Sequence, residues 1–492
     1  MKPEITLMLI IFLSINNFIL AQIAPDTLWT KTFGGAADDQ AVAIQQTSDG
    51  GYIVLGSTQS YGSGQLDTWL VKIDENGDEI WNKTFGGPAN DGAVSIQQTN
   101  DRGYIFAGLT KSFGAGGEDF WLVKTDSIGN EIWSKTFGGT ADDRAQYVEQ
   151  LSDGGYIVTG GTYSFNNGNG DVWLIKTDEN GNEIWNRTHG GSGDEKAYSV
   201  HQTSDGGYVL AGYTDPFRNL KFDILLFRTD GNGNEIWSRT FGGTNIENAY
   251  SCELTNDGGY LLAGYTKSFG NGQDDIWLIK TDDDGNEEWN KTFGGTGVDY
   301  NYSVQQTKDG GYIISGFTNS KGNGGFDIWF IKTAENGEEV WNQTIGGTSD
   351  EFSFSVQQTS DGGYIVAGST FSFGSGGQDF YIIKLDSDES TSVPHNQVVP
   401  KETYLLSNYP NPFNPSTTMT YHLFNRSIVT LQIYNSLGEQ VKLMQLGYQN
   451  SGKHIATWDG TNDYGQPVGS GIYVYKLEVD GKSEVKKMML IR

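Results

Sequence analysis

The feature that most constrains the fold is an internal repeat of constant length. One tryptophan recurs every 52 residues, and the tyrosine of a DGGY-like phrase recurs at the same spacing. Neither series contains an insertion, so the chain holds seven copies of one unit. A period of this size is typical of solenoids, tandem arrays and propellers. The tryptophans are Trp29, Trp81, Trp133, Trp185, Trp237, Trp289 and Trp341.

Each unit is predicted to form four short strands. In the second unit, the apolar and β-prone runs cover residues 92–99, 104–110, 119–126 and 131–137. Turns rich in Gly, Asn and Asp separate these runs, which is typical of an antiparallel meander. A four-stranded sheet repeated in this way is the architecture of a propeller, in which each sheet is one blade.

The two ends of the repeat series are complementary. A fourth strand, DTLWTKTF at residues 26–33, precedes the first unit, and the last unit stops after its third strand, DFYIIKLD at residues 379–386. An open stack of repeats needs atypical capping units instead. We therefore predict that these two strands pair and close a ring. The predicted fold is all-β: a seven-bladed β-propeller over residues 22–386, followed by a small immunoglobulin-like β-sandwich.

Charge and cysteine content narrow the class of protein. The net charge of −29 repels nucleic acid and anionic membrane surfaces, so we exclude a nucleic-acid partner. Residues 1–21 have the charged start and apolar core of a secretory signal, and no later stretch is apolar enough to span a bilayer. Cys252 is the only cysteine, so packing rather than internal disulfides stabilises the exported chain. We expect a monomer.

One turn phrase carries a resemblance to a known family. KTDENGNEIW, at residues 176–185, resembles the tryptophan-docking motif of propellers related to quinoprotein dehydrogenases, with Gly181 four residues before Trp185. The resemblance implies that each tryptophan packs between neighbouring blades. No quinone-binding set accompanies the motif, so no cofactor is expected. The repeats also look like those of uncharacterised exported bacterial propeller proteins, which implies no activity.

The C-terminal part has a different pattern. Residues 387–402 are polar with two prolines and are predicted to be a linker, and residues 403–492 alternate like the strands of a small sandwich. The motifs YPNPFNP, IYNSLGEQV, GIYVYKL and KKMMLIR in this part closely resemble the type A C-terminal sorting domain of the type IX secretion system. The phrase WDGTNDYGQPVGSG is closer to the immunoglobulin-like domain of flagellar-hook capping proteins. The resemblance implies the outer-membrane secretion machinery as a partner and a secreted or cell-surface location.

A carboxylate recurs in all seven units, just after the Gly-Gly pair that leads into the first strand. Two interpretations are open. The carboxylates form a ring at the channel mouth that binds Ca²⁺, a cationic group or sugar hydroxyls, or each one caps the amides of its own loop. The identity of any metal is left unknown. The residues are Asp39, Asp91, Asp143, Glu195, Glu247, Asp299 and Glu351.

Two further repeated sets are predicted to be structural. An aspartate at the start of each third strand, such as Asp67, is expected to accept backbone hydrogen bonds from its loop. A basic residue recurs on the third strand, such as Lys72, and another on the fourth, such as Lys31. We expect these charges on exposed edge strands, where they discourage edge-to-edge aggregation.

The fourth unit departs most from the others. Its loop at residues 214–227 replaces the glycine-rich segment and introduces Arg218 and Lys221, with His189 and His201 nearby in sequence. These residues form either a specific binding patch or the product of drift. Catalysis normally needs asymmetry, so near-identical units argue against an active site. We expect an exported surface protein that binds a glycan, a protein or a cation. The alternative is a polysaccharide-active enzyme, a glycoside hydrolase or lyase, which two adjacent carboxylates of raised pKa in a deep cleft would favour.

Overall fold

The computed structural model describes residues 24–388, apart from 167–168 and 218–220, and most of residues 404–491. The predicted signal segment lies outside the described residues, as does nearly all of the predicted linker. The described strands fall into two compact units, β1–β28 and β29–β35. Within the described part of the chain, no helix has the length and apolar character needed to cross a membrane.

The first unit is a seven-bladed propeller, as predicted. Each blade is a four-stranded antiparallel sheet whose strands are neighbours in sequence, except in blade 7. Blade 1 consists of β2 (Asp39–Gln46), β3 (Tyr52–Thr58), β4 (Asp67–Ile73) and β5 (Glu79–Phe85), and blade 2 of β6 (Asp91–Gln98), β7 (Tyr104–Thr110), β8 (Asp119–Thr125) and β9 (Glu131–Phe137). Blade 3 consists of β10 (Asp143–Gln150), β11 (Tyr156–Thr162), β12 (Asp171–Thr177) and β13 (Glu183–His189). Blade 4 consists of β14 (Glu195–Gln202), β15 (Tyr208–Thr214), β16 (Asp223–Thr229) and β17 (Glu235–Phe241). Blades 5 and 6 are β18 (Glu247–Leu254), β19 (Tyr260–Thr266), β20 (Asp275–Thr281), β21 (Glu287–Phe293); and β22 (Asp299–Gln306), β23 (Tyr312–Thr318), β24 (Asp327–Thr333), β25 (Glu339–Ile345).

Blade 7 closes the ring. It consists of β26 (Glu351–Gln358), β27 (Tyr364–Thr370), β28 (Asp379–Leu385) and the N-terminal strand β1 (Thr27–Phe33), which pairs antiparallel with β28. The rings of Trp69 in blade 1 and Phe380 in blade 7 lie 4.7 Å apart, within one buried cluster that both blades share. The predicted closure, by pairing of the two ends of the repeat series, is therefore present in the fold.

The core lies between the faces of adjacent blades, because each blade is too thin to bury its own apolar side chains. The repeated tryptophan contributes to every one of these interfaces. In all seven, it meets the repeated tyrosine of the next blade with ring centroids 5.8–6.2 Å apart. The turn glycine of the next blade covers the same ring: Gly181 has a φ of +72°, and a Cβ there would lie 2.7 Å from the Trp133 ring.

The basic residues of the third strands are not exposed, contrary to the prediction. Lys72 is 3% exposed, and its ammonium lies 3.1 Å from a carboxylate oxygen of Asp49 in the neighbouring turn. It also donates to the carbonyl oxygen of Ile73. The third strand is interior because the outer strand and the adjacent blade cover it. The prediction was wrong because it treated an interior strand as an edge strand.

The second unit is a small β-sandwich. One sheet has the order β29-β30-β33 and the other β32-β31-β34-β35. A single buried cluster that includes Trp458, Tyr421 and Tyr475 fills the space between them. The strands are β29 (Tyr404–Tyr409), β30 (Thr417–Leu423), β31 (Ser427–Tyr434), β32 (Gln440–Gln449), β33 (Gly452–Trp458), β34 (Gly471–Val479) and β35 (Lys482–Leu490).

Candidate functional site

The repeated carboxylates lie inside the blades rather than at the surface. All seven are between 0% and 6% exposed. In each blade, the carboxylate accepts a hydrogen bond of 2.6–3.1 Å from the amide of the second glycine of the Gly-Gly pair. The carboxylates are those of Asp39, Asp91, Asp143, Glu195, Glu247, Asp299 and Glu351.

Asp143 shows how such a carboxylate holds its blade together. One oxygen accepts from the hydroxyl of Thr162 and from the amides of Tyr163 and Ser164, and the other accepts from the amide of Gly139 and the hydroxyl of Ser164. We call this arrangement the carboxylate bracket. It matches the loop-capping interpretation, because the oxygens are engaged by the blade's own donors. A binding ring needs accessible oxygens, which this arrangement does not offer.

The second aspartate set stands next to the carboxylate brackets. Asp67 accepts hydrogen bonds from the amides of Ser63 and Gly64, as expected for a residue that shapes its loop. Burial raises the pKa of the equivalent Asp119, and the charge of Asp143 adds to the rise, while a hydrogen bond from Ala115 opposes it. These two sets therefore hold the loops of one propeller face in place.

The divergent loop of the fourth unit is described only in part. Arg218 lies outside the described residues, and Lys221 is exposed. Phe217, on the same loop, is 82% exposed. Neither Phe217 nor Lys221 lines the cavity at the centre of the propeller.

A central channel is lined by the innermost strands of the seven blades and encloses a cavity of about 450 Å³. Every innermost strand has a β-bulge at its fourth residue, which lacks a partner in the neighbouring strand. A bulge re-aims a side chain. The bulge residues all line the channel; they are Val42, Val94, Gln146, Tyr198, Tyr250, Tyr302 and Phe354.

The channel is asymmetric. In four adjacent blades, the bulge residues form an aromatic wall of Tyr198, Tyr250, Tyr302 and Phe354, whose successive ring centroids are 5.0, 4.5 and 5.1 Å apart. On the other side, the bulge residues are Val42 and Val94 in blades 1 and 2. Burial raises the pKa of Tyr198 to about 12, so its hydroxyl stays neutral and acts as a hydrogen-bonding group.

A second layer of the channel comes from the seventh residue of each innermost strand. Four blades have glutamine here, but blades 3, 4 and 5 have Glu149, His201 and Glu253, which we call the polar row. The imidazole Nδ1 of His201 lies 2.8 Å from a carboxylate oxygen of Glu149. His201 and Glu253 line the cavity.

Two side chains of the polar row, His201 and Glu253, have pKa values above their usual ones. Burial by itself lowers the pKa of His201, but the hydrogen bond from the imidazole to Glu149 and the charges of both glutamates outweigh it, so the pKa is raised. Burial raises the pKa of Glu253 to about 7; His201 opposes this rise and the charge of Glu149 adds to it. Perturbed groups of this kind cluster at functional sites.

The polar row also interrupts a ring of contacts between blades. In other blades, the seventh-residue side chain accepts a hydrogen bond from the next innermost strand, as Gln305 does from the amide of Gln358 at 2.6 Å. Glu149 keeps this role toward Gln202 at 3.1 Å. At the boundary between blades 4 and 5, the described residues show no such bond, and Leu254 replaces a glutamine that is present in the six other units. Ser199, on the same boundary, has a buried hydroxyl without a partner.

Sequence reasoning named His201 only as a neighbour of the divergent loop and missed the other channel residues, although a signal was present. Aligned by the 52-residue period, the seventh residue of the first strand is glutamine in blades 1, 2, 6 and 7 and ionisable in the other three. The fourth residue of the same strand is tyrosine in blades 4, 5 and 6 and a different residue in the other four blades. Which of these side chains faces the channel depends on the bulge, which the alternation of the strand does not reveal.

Among the described residues, no group of three or more His, Cys, Asp or Glu side chains has the geometry to hold a metal ion. Cys252 lines the channel wall next to Glu253, and burial raises the pKa of its thiol. The site therefore consists of an aromatic wall and a polar row around a cavity. This arrangement can bind an organic ligand by ring contacts at one level and by charge or hydrogen bonds at the other.

Comparison with known proteins informs mainly the second unit. The FlgD Ig-like domain model matches residues 421–483, which lie in the sandwich. A curated relative, the regulatory protein FlaEY of Caulobacter vibrioides, is 22% identical over 38% of this chain. The match spans only 23% of the length of that relative.

Two solved structures overlap with the chain at low identity. One is PorZ, an essential bacterial surface component of the type-IX secretion system of Porphyromonas gingivalis, with a TM-score of 0.42, 11% identity and coverage of 94% of this chain and 60% of that chain. The other is a puromycin hydrolase, with a TM-score of 0.46, 11% identity and coverage of 78% and 58%. Overlaps of this size do not carry function from one protein to another. The family comparison therefore applies to residues 421–483, which are similar to the FlgD Ig-like domain.

Proposed function

We propose that this protein is an exported, surface-associated binding protein whose ligand site is the central channel of the propeller. The observation that carries the proposal is the asymmetry of the channel. The carboxylate brackets and the docking tryptophans are present in every blade, whereas the channel-facing residues of blades 3 to 7 differ from those of blades 1 and 2. A ligand-binding pocket needs such a departure from symmetry, and the scaffold does not.

The site has the chemistry of a binding pocket. Ligand pockets are concave and mostly apolar, with a few polar groups that orient the ligand. Here Tyr250 and Tyr302 supply aromatic surface, and His201 and Glu253 supply polar groups. The seven bracket carboxylates are engaged within their blades, so the channel replaces the acidic face as the proposed contact with a glycan, a protein or a cation.

The proposed location rests on the two ends of the chain. The N-terminal 21 residues have the pattern of a secretory signal. The C-terminal sandwich has the motifs that resemble a type IX sorting domain, and part of it matches the FlgD Ig-like domain model. We propose that the sandwich engages the outer-membrane secretion machinery and leaves the propeller at the cell surface. Deletion of residues 403–492 tests this: the protein should then accumulate inside the cell, as fractionation and surface proteolysis would show.

A glycan array that includes amino sugars tests the binding proposal. The chain from residue 22 onward should bind a subset of ligands equally with and without Ca²⁺, and Tyr250→Ala should abolish these signals. A matched control is Tyr61→Ala, because Tyr61 is 46% exposed on an outer loop. Signals that need Ca²⁺ and persist in Tyr250→Ala contradict a channel site.

One observation favours an enzyme as a second candidate. Glu253 has a pKa of about 7, and a carboxylic acid that is protonated near neutral pH suits general acid catalysis of glycoside cleavage. Release of reducing ends from polysaccharides, lost in Glu253→Gln and kept in Glu131→Gln, would support the enzyme. Glu131 is an exposed residue of an outer strand and serves as the control.

A further inference from the structure

We propose that the polar row of the channel receives a positively charged organic group, a protonated amine or a guanidinium, whose apolar part lies against the aromatic wall. This inference rests on the proposed binding function and names the chemical class of the ligand. The inference concerns side chains that face the open channel. It does not concern the bracket carboxylates, which are engaged within the blades.

The first argument is a carboxylate without a donor. Glu253 lines the cavity, and no described residue donates a hydrogen bond to it or forms an ion pair with it within 4 Å. In contrast, Glu149 is paired with His201 and with the amide of Gln202. A partly buried carboxylate that lacks donors is costly, and a cation in the adjacent cavity would supply both charge and donors.

The second argument is an independent unpartnered group beside the first. Ser199 is 3% exposed, lines the same cavity, and has a hydroxyl oxygen without a hydrogen-bond partner. The equivalent serines of other blades, such as Ser95 and Ser303, accept a bond from the next innermost strand at 3.2 Å. Buried polar groups are normally paired, so this hydroxyl is available to a ligand donor.

The third argument is the charge around Glu253. The ionisable groups packed near it are Glu149 and Tyr147 on β10, His201 on β14, and Cys252 on its own strand. Burial raises the pKa of Tyr147 and of Cys252, so both stay neutral. The two glutamates are then opposed by one imidazolium. When Glu253 is ionised, the row carries one net negative charge, which a single organic cation neutralises.

Size and shape limit the ligand further. The cavity of about 450 Å³ admits a group of one or two rings. The aromatic wall offers Tyr250 and Tyr302 at its centre, and aromatic side chains favour cations with apolar bodies. We therefore expect a ligand with a flat or branched apolar part and one basic end, either free or as a side chain of a larger molecule.

Benzylamine and benzyl alcohol test the proposal, because they have the same shape and differ in charge. Binding to the chain from residue 22 onward is measured by calorimetry at pH 6 and pH 8. At pH 8, benzylamine should bind about ten-fold or more tightly than benzyl alcohol, because only benzylamine brings a positive charge and charged hydrogen-bond donors to Glu253. At pH 6, the preference should shrink, because Glu253, with a pKa of about 7, is then mostly protonated and the row has lost its net negative charge.

Variants separate this inference from the proposed function. Glu253→Gln should remove most of the preference for benzylamine over benzyl alcohol, and Glu131→Gln should behave as wild type. Equal binding of both probes at pH 8 overturns the cation inference while the channel site stands. Binding of neither probe, or binding that persists in Tyr250→Ala, overturns both.

Discussion

Thr30, on the first described strand, is the antiparallel partner of Ile383, on the last strand of the propeller. This pairing makes blade 7 a composite of the two ends of the repeat series. Deletion of residues 22–35 should therefore remove the outer strand of blade 7 together with Trp29, and the melting temperature should fall by about 5 °C or more. Calorimetry measures the change.

Two further measurements sharpen the test of closure. A synthetic peptide with the sequence DTLWTKTF should restore part of the melting temperature of the truncated chain. Leu28→Ser serves as the control, since Leu28 is 53% exposed and its loss should change the stability by less than about 0.5 kcal/mol. An unchanged melt after the deletion would show that β1 does not stabilise the ring.

The carboxylate bracket predicts a stability effect that is independent of Ca²⁺. Asp143→Ala leaves several buried donors unsatisfied and should lower the free energy of unfolding by about 2–4 kcal/mol. Urea unfolding with Ca²⁺ and with a chelator should give the same loss. If Ca²⁺ stabilises the wild type and not Asp143→Ala, the carboxylate has a metal-binding role instead.

The raised pKa of Glu253 predicts pH-dependent stability. Its pKa of about 7 in the fold exceeds the usual value of a glutamate, so the folded chain binds this proton more tightly than the unfolded chain. The stabilising contribution is present below the usual pKa and is lost as the pH rises through about 7. Glu253→Gln should thus raise the free energy of unfolding by about 1–3 kcal/mol at pH 8 and change it little at pH 4. Equal effects at both values would contradict the assignment.

The boundary between blades 4 and 5 is predicted to be the least protected part of the inner ring. Hydrogen exchange of peptides that cover β18 should be faster than exchange of peptides that cover β10 and β26. Among the described residues, the amides of β18 lack the bonds to a serine and to a seventh-residue side chain of the preceding blade that the amides of β10 and β26 make. Leu254→Gln, which restores the residue found in the other units, should slow this exchange and add about 0.5–1.5 kcal/mol. Uniform protection of all seven innermost strands would refute this prediction.

The turn glycines that cover the docking tryptophans are predicted to be sensitive to any side chain. Gly181→Ala places a Cβ against the Trp133 ring at a φ of +72°, so it should cost about 1–3 kcal/mol in urea unfolding. Gly191→Ala is the matched control, because a Cβ there meets no atom within 4 Å. A similar effect of both substitutions would mean that the contact with Trp133 is unimportant.

The architecture could be predicted because its signals repeat. A 52-residue period, four β-prone runs per unit and complementary ends indicate a closed propeller without any tertiary information. The turn at Gly181, four residues before Trp185, was implied by the resemblance to the tryptophan-docking motif. Each signal is reinforced by seven copies, so the variation of single residues does not obscure it.

The candidate site could not be predicted, because repetition draws attention to the wrong residues. Asp143 and its equivalents recur in every unit, and a sequence does not show whether a carboxylate points to solvent or into its own loop. His201 and Glu253 occur once each, and their meeting with Glu149 depends on the ring that places blades 3, 4 and 5 side by side. Lys72 was misplaced for a similar reason, since burial by a neighbouring blade is a tertiary property.

The bulge at the fourth residue of every innermost strand has a consequence for engineering. A residue without a partner in the sheet, such as Val42 or Tyr250, can be exchanged without disturbing the pairing on either side of it. The propeller thus offers seven positions around one lumen that can be varied while the pairing of the strands is kept. A library restricted to these positions would vary the recognition of small molecules while the same folded body is retained.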